Sequence, residues 1–170
     1  MGRGLVIVHT GDGKGKTTAA LGLAIRAWGA GLKVLILQFI KGGRRSSELA
    51  ALDALGIEVR QLGLGFTNQG DLDEHRAAAQ AAIESARRAI TSGAWDLIIF
   101  DEINYAVKFG LLDAGAVLEL VTLRPPQMHL VFTGRDALPA LIDAADLVTE
   151  MKLVKHPFQS GVPAQAGIEF

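Results

Sequence analysis

The sequence predicts an α/β fold in which a mainly parallel central sheet is covered by helices on both faces. Two observations support this class: short β-rich runs alternate with longer helical segments along the 170 residues, and most of these runs are apolar almost throughout. Continuously apolar strands are typical of parallel sheets, because both faces of each strand are buried. The length matches a single domain, which we expect to span residues 1–170.

Several runs have the length and the β-branched or apolar content of strands. We predict strands at 4–10, 33–39, 57–62, 95–102, 128–134 and 145–154. The run at 57–62 is the weakest of them, and the run at 95–102 is apolar until its acidic end. Ligands of open parallel sheets bind beyond the carboxyl ends of the strands, so the loops that follow these runs are expected to form a ligand-binding rim.

The segments between the strands carry helical periodicity or helix-end signals. We predict helices at 16–31, 46–55, 71–93, 113–123 and 136–144. The helix at 71–93 has the clearest boundaries, because Asp71 is a favourable N-cap and arginines lie towards its end. Strands alternating with helices in this way favour a parallel sheet with helical layers on each side.

The composition excludes several classes of function. The chain contains no cysteine, which excludes disulfides, thiolate metal sites and cysteine nucleophiles. The formal net charge of −1 argues against a general nucleic-acid surface. No apolar run is long enough to cross a bilayer, and the residues before the first predicted strand leave no room for a signal peptide. We therefore expect a cytoplasmic protein that binds neither nucleic acid nor membrane.

The stretch TGDGKGKTT at residues 10–18 joins the first predicted strand to the first predicted helix. It is similar to the phosphate-binding pattern G-x-x-x-x-G-K-[ST] but is one residue short, because its first glycine is Gly11. Glycines let backbone N–H groups approach phosphate oxygens closely, and the start of the helix adds its positive end. The residues expected to bind nucleotide phosphates are Gly11, Asp12, Gly13, Lys14, Gly15, Lys16, Thr17 and Thr18. The alternative is a glycine-rich turn before an ordinary helix.

The stretch LIIFDE at 97–102 is the natural partner of this loop and favours a P-loop NTPase-like (RecA-like) three-layer sandwich. Lys16 contributes a full positive charge, and the Thr17 hydroxyl is a suitable Mg²⁺ ligand. An apolar strand that ends in acid brings a carboxylate to that metal. On an extended strand Asp101 and Glu102 point to opposite sides, so that one approaches the metal while the other contacts a second group. Alternatively, Asp101 caps the next helix.

Other residues at the predicted rim carry weaker signals. Arg135 follows a strand in TGR, and it either clamps triphosphate oxygens or forms a surface salt bridge. The loop after the second strand carries Lys41, Arg44 and Arg45, which either attract an acidic ligand or belong to a solvated loop. Phe66 is flanked by glycine-rich chain, and it either covers a flat ligand or fills the core.

A series of short motifs occurs in the order found in a known family. After TGDGKGKTTAALGLAIRAWGAG come QFIKG, GFT, DEIN, RP, TGR, ADLVTEM, VKHPF and AQAGIEF. Together they resemble the P-loop ATP:corrinoid adenosyltransferases, the enzymes of cobalamin biosynthesis and salvage. The resemblance runs from about Gly4 to Phe170. The shortened loop is itself typical of that family, and the tail motifs are more specific than any general P-loop feature.

The resemblance implies a transferase that moves the 5′-deoxyadenosyl group of ATP onto the cobalt of a reduced corrinoid while triphosphate leaves intact. ATP and the corrinoid are then substrates, Mg²⁺ accompanies ATP, and ATP lies reversed relative to other P-loop proteins. An electron-donating reductase is the expected partner, and members of the family are usually homodimers. Co(I) is already a strong nucleophile, so the site needs alignment and charge stabilisation rather than a general base. His156 has no neighbours at metal-ligand spacing, which favours a structural or rim role over catalysis.

The resemblance also implies roles for individual residues of the nucleotide site. Lys16, Thr17 and Glu102 are the expected catalytic residues. Thr17 and Glu102 would lie near Mg²⁺, with Asp101 close by. Arg26 matches a family arginine that reaches the nucleoside, although a charge on the helix surface is an equal alternative.

Two features of the sequence depart from the better-known members of the family. Phe66 matches the aromatic residue that lies against the corrin and helps exclude its lower axial ligand, which makes Co(II) easier to reduce. Asn68 stands where those members have a tryptophan, so one wall of the corrinoid pocket is changed. Only Met1 to Arg3 precede the first predicted strand, whereas familiar members carry a longer, partly helical segment that helps cover the active site.

Two other functions stay open from the residues alone. A small-molecule or nucleoside kinase would use Lys16, Thr17 and Asp101 to attack at the γ-phosphate, although the shortened loop and the lack of an acceptor base count against it. A corrinoid- or nucleotide-binding protein without turnover belongs to a different class, and the changes at Asn68 and at the N-terminus favour it. The phosphate released from ATP distinguishes these functions.

Overall fold

The computed structural model describes residues 2–42, 46–65 and 71–169. Its strands are β1 (Val6–Thr10), β2 (Val34–Gln38), β3 (Glu58–Gln61), β4 (Leu97–Asp101), β5 (His129–Thr133) and β6 (Leu147–Glu150). They form one six-stranded sheet in the order β3-β2-β4-β5-β1-β6, and every pairing in it is parallel. The predicted α/β class with a parallel sheet is therefore confirmed.

Helices connect and follow the strands. In the described residues they are α1 (Lys16–Gly29), α2 (Glu48–Ala54), α3 (Leu72–Thr91), α4 (Ile103–Lys108), α5 (Ala114–Leu123), α6 (Pro139–Ala144) and a 3₁₀ helix (Pro157–Ser160). Every predicted strand and helix is present, with ends that differ by a few residues. The two that were not predicted, α4 and the 3₁₀ helix, are too short to show a helical period. Within the described ranges, none of the helices combines the length and apolarity that a bilayer span requires.

The helices lie in two layers, one on each face of the sheet. Alternate residues of the central strands enter two separate apolar clusters: Ile36 and Ile99 pack with α1, whereas Leu35 and Phe100 pack with α3. In α1 the buried side chains are all alanine, which lets the helix approach the sheet closely. Because both faces of the sheet are covered, the four central strands are buried and apolar almost throughout, whereas the edge strands β3 and β6 are partly exposed. The molecule has the expected three layers.

Four strands end in a polar residue that is nevertheless buried. These residues are Thr10 of β1, Gln38 of β2, Asp101 of β4 and Thr133 of β5. Burying a polar side chain costs free energy unless it is hydrogen-bonded, so such a row at one edge requires a dedicated network. The edge is the carboxyl edge of a parallel sheet, which is where ligands bind in this class of fold.

The strand predicted at 145–154 is shorter than expected and occupies only Leu147–Glu150. Met151 donates its N–H to the carbonyl of Thr10 at 2.8 Å, and its own carbonyl accepts the N–H of Gly13 at 2.7 Å. The chain therefore leaves the sheet after β6 and runs along the loop between β1 and α1.

Candidate functional site

The loop between β1 and α1 makes a tight, glycine-rich turn. Gly11 and Gly15 have φ angles of 93° and 109°, a left-handed conformation that residues with side chains rarely adopt. Lys16 folds back over the loop and donates from Nζ to the carbonyl oxygens of Gly11 and Gly13, at 2.6 Å each. Burial, and then the positive charge of Arg135, lower the pKa of Lys16. The Lys16 ammonium group and the N-terminal end of α1 thus lie together at the loop, an arrangement that favours the binding of a phosphate.

The chain that follows β6 packs against this loop. A Cβ atom on Gly11 would lie 2.5 Å from the carbonyl oxygen of Met151, and one on Gly13 would lie 2.6 Å from that of Lys152. These glycines therefore permit the packing of one peptide against another. The N–H of Gly13 is already donated to Met151. The first N–H groups of α1, by contrast, have no partner within the helix and point out of its N-terminal end, towards the loop.

The carboxylate of Asp101 is the centre of a buried hydrogen-bond network at the ends of β2, β4 and β5. Its Oδ1 accepts hydrogen bonds from the hydroxyls of Thr17 and Thr133, both at 2.8 Å. Its Oδ2 accepts one from Nε2 of Gln38 at 3.2 Å and lies 3.8 Å from Nζ of Lys41. Asp101 is only 1% exposed. A carboxylate held by so many donors is fixed in orientation, and it fixes the Thr17 hydroxyl in the first turn of α1.

Two contacts extend this network away from the loop. Gln61 donates from Nε2 to Oε1 of Gln38 at 3.0 Å, which orients the Gln38 amide so that its Nε2 faces Asp101. Lys41 donates to Oε1 of Glu48 at 3.0 Å. Burial by itself would lower the pKa of Lys41, but the carboxylates of Asp101 and Glu48 outweigh it and raise the pKa. Sequence reasoning assigned no role to Gln38 or Gln61; the available signal was a polar residue that closes a strand.

Glu102 is the N-cap of α4 and has a left-handed backbone conformation, with φ of 62° and ψ of 19°. The prediction that Asp101 and Glu102 share an extended strand is wrong, because β4 ends at Asp101. The N–H of Glu102 is donated instead to the hydroxyl of Thr133 at 2.8 Å. In the described residues no side-chain hydrogen bond caps α4, so Asp101 is not the cap of that helix. A non-glycine residue held in this conformation is typical of functional sites.

The side chain of Glu102 presents a carboxylate oxygen that a cation would satisfy. Its Oε2 is buried and has no hydrogen-bond partner within the described chain. Burial, and then the negative charge of Asp101, raise the pKa of Glu102 to about 7, although Lys41 and Lys16 act in the opposite direction. Mg²⁺ is usually bound by one or two protein oxygens together with phosphate oxygens and water. The Thr17 hydroxyl and the Glu102 carboxylate are oxygen donors of this kind, so the residues fit Mg²⁺.

A family model matches almost the whole chain. It is described as "ATP:corrinoid adenosyltransferase BtuR/CobO/CobP" and matches residues 2–170. The chain belongs to this family. The family resemblance that the sequence motifs indicated is therefore confirmed.

Curated relatives agree with the family model. The corrinoid adenosyltransferase of Pseudomonas aeruginosa strain PAO1 is 43% identical over 171 residues, which cover 99% of this chain and 84% of the relative. The enzyme of the same name from Sinorhizobium is 41% identical over 173 residues, covering 99% of this chain and 81% of the relative. That of Escherichia coli K12 is 38% identical over 169 residues, covering 99% and 86%.

Arg135 lies beside residues 11–15, the loop between β1 and α1 that the sequence predicts to bind phosphate and that we call the phosphate loop. Its Nε is 3.7 Å from Oδ1 of Asp12, and both side chains are exposed. The preceding Gly134 has a φ of 129°, and a Cβ atom there would lie 2.8 Å from Cβ of Asn104 on α4. This close packing fixes the point at which the Arg135 side chain starts. Arg135 thus forms the predicted surface salt bridge, with Asp12 of the loop as its partner. The alternative role, clamping triphosphate oxygens, stays a prediction.

Arg26 lies away from the loop of the adenosyltransferase. It is exposed and sits in the last turn of α1. The helical rise separates it from Lys16 by about 15 Å along the axis of α1. The structure does not bring Arg26 to the phosphate loop, and its contact with the nucleoside stays a prediction.

Four residues that the sequence singled out lie outside the described part of the chain. They are Phe66 and Asn68, expected at the corrinoid, and Arg44 and Arg45 of the loop after β2. The described residues that lead to Phe66 are closely packed. Gly65 donates its N–H to the carbonyl of Ile40 at 2.9 Å, and a Cβ atom on Gly63 would lie 2.3 Å from the same oxygen. The loops after β2 and β3 therefore lie backbone against backbone at the carboxyl edge of the sheet.

His156 has a structural role in the described chain. Its Nδ1 accepts the N–H of Phe158 at 3.2 Å, and its own N–H is donated to Oε1 of Gln159 at 3.3 Å. These reciprocal bonds cap the 3₁₀ helix. This agrees with the preference for a structural or rim role over catalysis.

Proposed function

We propose that this chain transfers the 5′-deoxyadenosyl group of ATP to the cobalt of a reduced corrinoid and releases triphosphate. The observation that carries the proposal is the buried carboxylate oxygen Oε2 of Glu102, which has no hydrogen-bond partner among the described residues, in a chain that belongs to the adenosyltransferase family. Membership of the family supports the reaction. In the proposal, Lys16 of the loop stabilises the negative charge of the triphosphate, and Glu102 binds the Mg²⁺ that accompanies ATP.

The reaction asks the protein for alignment and charge stabilisation. An electron pair of Co(I) forms the bond to C5′, the C5′–O5′ bond breaks, and its electrons stay on the triphosphate. No proton is transferred in this step, so no general base is required. Lys16 and the N–H groups at the start of α1 stabilise the charge that develops on the leaving triphosphate. Holding the cobalt and C5′ in line supplies the other large part of the rate enhancement.

We propose that Thr17 and Glu102 hold Mg²⁺. When bound there, the metal neutralises part of the charge on the triphosphate. Asp101 has a different role in this proposal, because its two oxygens already accept hydrogen bonds from Thr17, Thr133 and Gln38. It positions the Thr17 hydroxyl and is not itself a ligand of the metal.

The reversed placement of ATP is supported by the way the loop is built. The loop is one residue short, and the N–H of Gly13 is donated to Met151 rather than left for a phosphate. In the proposed placement the loop, from Gly11 to Thr18, grips the far end of the triphosphate, with Arg135 at the rim. The ribose C5′ then faces outward, where a flat macrocycle has access to it.

The partners follow from the same proposal. Phe66 and Asn68 belong to the segment proposed to contact the corrinoid. The described loop after β3 leads to that segment from the carboxyl edge of the sheet, the edge at which we place ATP. A reductase that delivers an electron to the cobalt is required by the oxidation state of the substrate. We also propose a cytoplasmic homodimer in which residues 1–170 form one domain.

One anaerobic assay tests the proposed function. The protein is incubated with Mg-ATP and chemically reduced cobalamin, and the phosphate product and the corrinoid product are both identified. Inorganic triphosphate together with a light-sensitive cobalt–carbon product is the expected result. ADP with a phosphorylated acceptor would instead support a kinase, and binding without turnover would support a carrier.

A modified nucleotide sharpens this assay. In β,γ-methylene ATP a carbon replaces the oxygen between the last two phosphorus atoms, so γ-phosphoryl transfer is blocked. Adenosyl transfer breaks only the C5′–O5′ bond and should continue with this analogue. Loss of the cobalt–carbon product with the analogue, despite retained binding, would contradict the proposal.

A further inference from the structure

The end of the described chain reaches back to the phosphate loop. Glu169 forms an ion pair, through its Oε2, with Nζ of Lys14. The Glu169 side chain is only 16% exposed, whereas that of Lys14 is 49% exposed. The carboxylate is therefore held against the protein, and its partner is a half-exposed lysine of the loop.

A short turn brings the carboxylate into this position. Glu169 donates its N–H to the carbonyl of Gln165 at 2.8 Å, and Gly167 between them has a φ of 75°. The same C-terminal segment also contacts the loop through the carbonyl of Met151, which accepts the N–H of Gly13. The segment thus contacts the loop at both of its ends, first through backbone and then through a carboxylate.

We propose that Glu169 is a positioning residue that competes with triphosphate for Lys14. It holds the Lys14 side chain before nucleotide binds, and it favours the release of triphosphate after transfer. Carboxylate and phosphate oxygens are both anionic acceptors, so each reduces the attraction that the ammonium offers to the other. The inference rests on the proposed function, because it takes triphosphate as the ligand of the loop.

The competing explanation is that the ion pair only supports the fold of the loop. The two explanations predict opposite changes in the affinity for triphosphate when the charge of Glu169 is removed. If Glu169 competes with the ligand, removing its charge tightens the binding of triphosphate. If Glu169 only supports the loop, removing its charge loosens the loop and weakens binding.

The test measures the affinity of the full chain for inorganic triphosphate by calorimetry at low salt, for wild type, Glu169→Gln, Lys14→Gln and the double variant. We expect Glu169→Gln to tighten binding by about two- to five-fold, the range set by a partly exposed ion pair. In the Lys14→Gln background the same substitution should have no effect. The KM for ATP should fall in parallel with the inhibition constant of triphosphate.

Glu150→Gln is the matched control. The Glu150 side chain lies beside Gly11, so this variant also removes a negative charge next to the loop but leaves the pair with Lys14 intact. It should change the affinity by less than Glu169→Gln does. If both variants tighten binding equally, the effect comes from the loss of any negative charge near the loop, and the inference is overturned.

Gly167→Ala is a second way to disturb the contact. Nothing lies within 4 Å of a Cβ atom there, so the substitution acts only through the strained φ of the turn and leaves the carboxylate in the chain. It should tighten binding in the same direction as Glu169→Gln, by a smaller factor. Circular dichroism and thermal unfolding of each variant establish that the protein is folded.

The outcomes separate this inference from the proposed function. If the wild-type chain does not bind triphosphate, the placement of triphosphate on the loop is wrong. If the wild type binds but Lys14→Gln leaves the affinity unchanged, Lys14 does not contact triphosphate and the inference about Glu169 is wrong. If Lys14→Gln weakens binding but Glu169→Gln leaves it unchanged or weakens it, only the role of Glu169 is wrong.

Discussion

The two sides of the phosphate loop are built in different ways. On the side of β4 and β5, the loop helix is tied through Thr17 to Asp101, a 1% exposed carboxylate within a network of buried side chains. On the side of β6, the loop contacts the backbone of Met151 and the carboxylate of Glu169. The segment that supplies the second set of contacts is largely exposed.

This difference separates a rigid side from an adjustable one. Buried, fully hydrogen-bonded groups cannot move without leaving a polar atom unsatisfied, so the Asp101 side holds its geometry. Exposed ion pairs and exposed backbone groups can exchange their partners for water or a ligand at little cost in free energy. The Glu169 side can therefore adapt to a ligand. Substitutions on the first side should therefore have the larger effects on activity or stability, and those on the second should change affinity or stability by smaller amounts.

The largest expected effect is that of Lys16→Met, at the point where the two sides meet. The substitution removes the ammonium group that lies over the loop, and with it part of the stabilisation of the leaving triphosphate. We expect kcat/KM to fall by about 10²–10³-fold, as for loss of one charge-stabilising donor. Lys33→Met, just before β2 at the opposite edge of the sheet, is the control and should stay near wild type in the anaerobic transfer assay. A fall of less than about ten-fold for Lys16→Met would contradict the role given to this residue.

Asp101→Asn should break the rigid side itself. The new amide would place N–H donors opposite the donors of Gln38 and Lys41, which leaves buried polar groups unsatisfied. We expect a loss of about 2–4 kcal/mol in the free energy of unfolding, measured by urea titration. Activity should fall as well, because the Thr17 hydroxyl loses its fixed acceptor. Glu58→Gln, which breaks an exposed ion pair with Arg60, should leave both quantities nearly unchanged. Equal stability of Asp101→Asn and wild type would show that the network does not constrain the site.

Glu102 makes the stability of the rigid side depend on pH. Its pKa is raised from 4.5 to about 7 in the folded protein, first by burial and then by Asp101. The folded state therefore binds more protons than the unfolded state between these values, and stability is lost as pH rises through them. Glu102→Gln does not titrate. Without metal, its free energy of unfolding relative to wild type should increase by about 1–3 kcal/mol from pH 5 to pH 8.

Urea unfolding in EDTA at several pH values measures this difference. Parallel pH curves for wild type and Glu102→Gln would show that Glu102 titrates normally. Added Mg²⁺ should restore the stability of wild type at pH 8 more than that of Glu102→Gln, because the metal compensates the buried charge.

The fold was predictable because its signals are local and repeated. The four central strands are apolar on both faces, and each of the predicted helices has a periodic pattern or an end signal, so these elements and the parallel sheet follow from the sequence. The end of β6 was not predictable. The strand stops where Met151 turns to the loop, and that contact is between backbone atoms, which leave no pattern in the side chains.

The site was predictable only where the chemistry selects the residue type. Lys16, Thr17, Asp101 and Glu102 stand out because few other residues bind phosphate and magnesium. The left-handed conformation of Glu102 was missed, since a glutamate gives no sign of positive φ. Glycines at 11 and 13 suit the approach of a phosphate and the packing of a peptide equally well, because both require the absence of Cβ. The sequence therefore could not reveal the contact with the chain after β6.

Gly13→Ala tests that contact on the adjustable side and should have the smallest effect of the four substitutions. A Cβ atom would lie 2.6 Å from the carbonyl oxygen of Lys152, so the chain after β6 must shift away from the loop. We expect a loss of about 1–2 kcal/mol in the free energy of unfolding, since an exposed segment yields more easily than a core. Gly22→Ala, in the interior of α1 with nothing within 4 Å of its Cβ, should instead stabilise the protein by about 0.5–1 kcal/mol. Thermal and urea unfolding of both variants check the opposite signs. If Gly13→Ala is as stable as Gly22→Ala, the segment after β6 does not rest on the loop, and the distinction between the two sides fails.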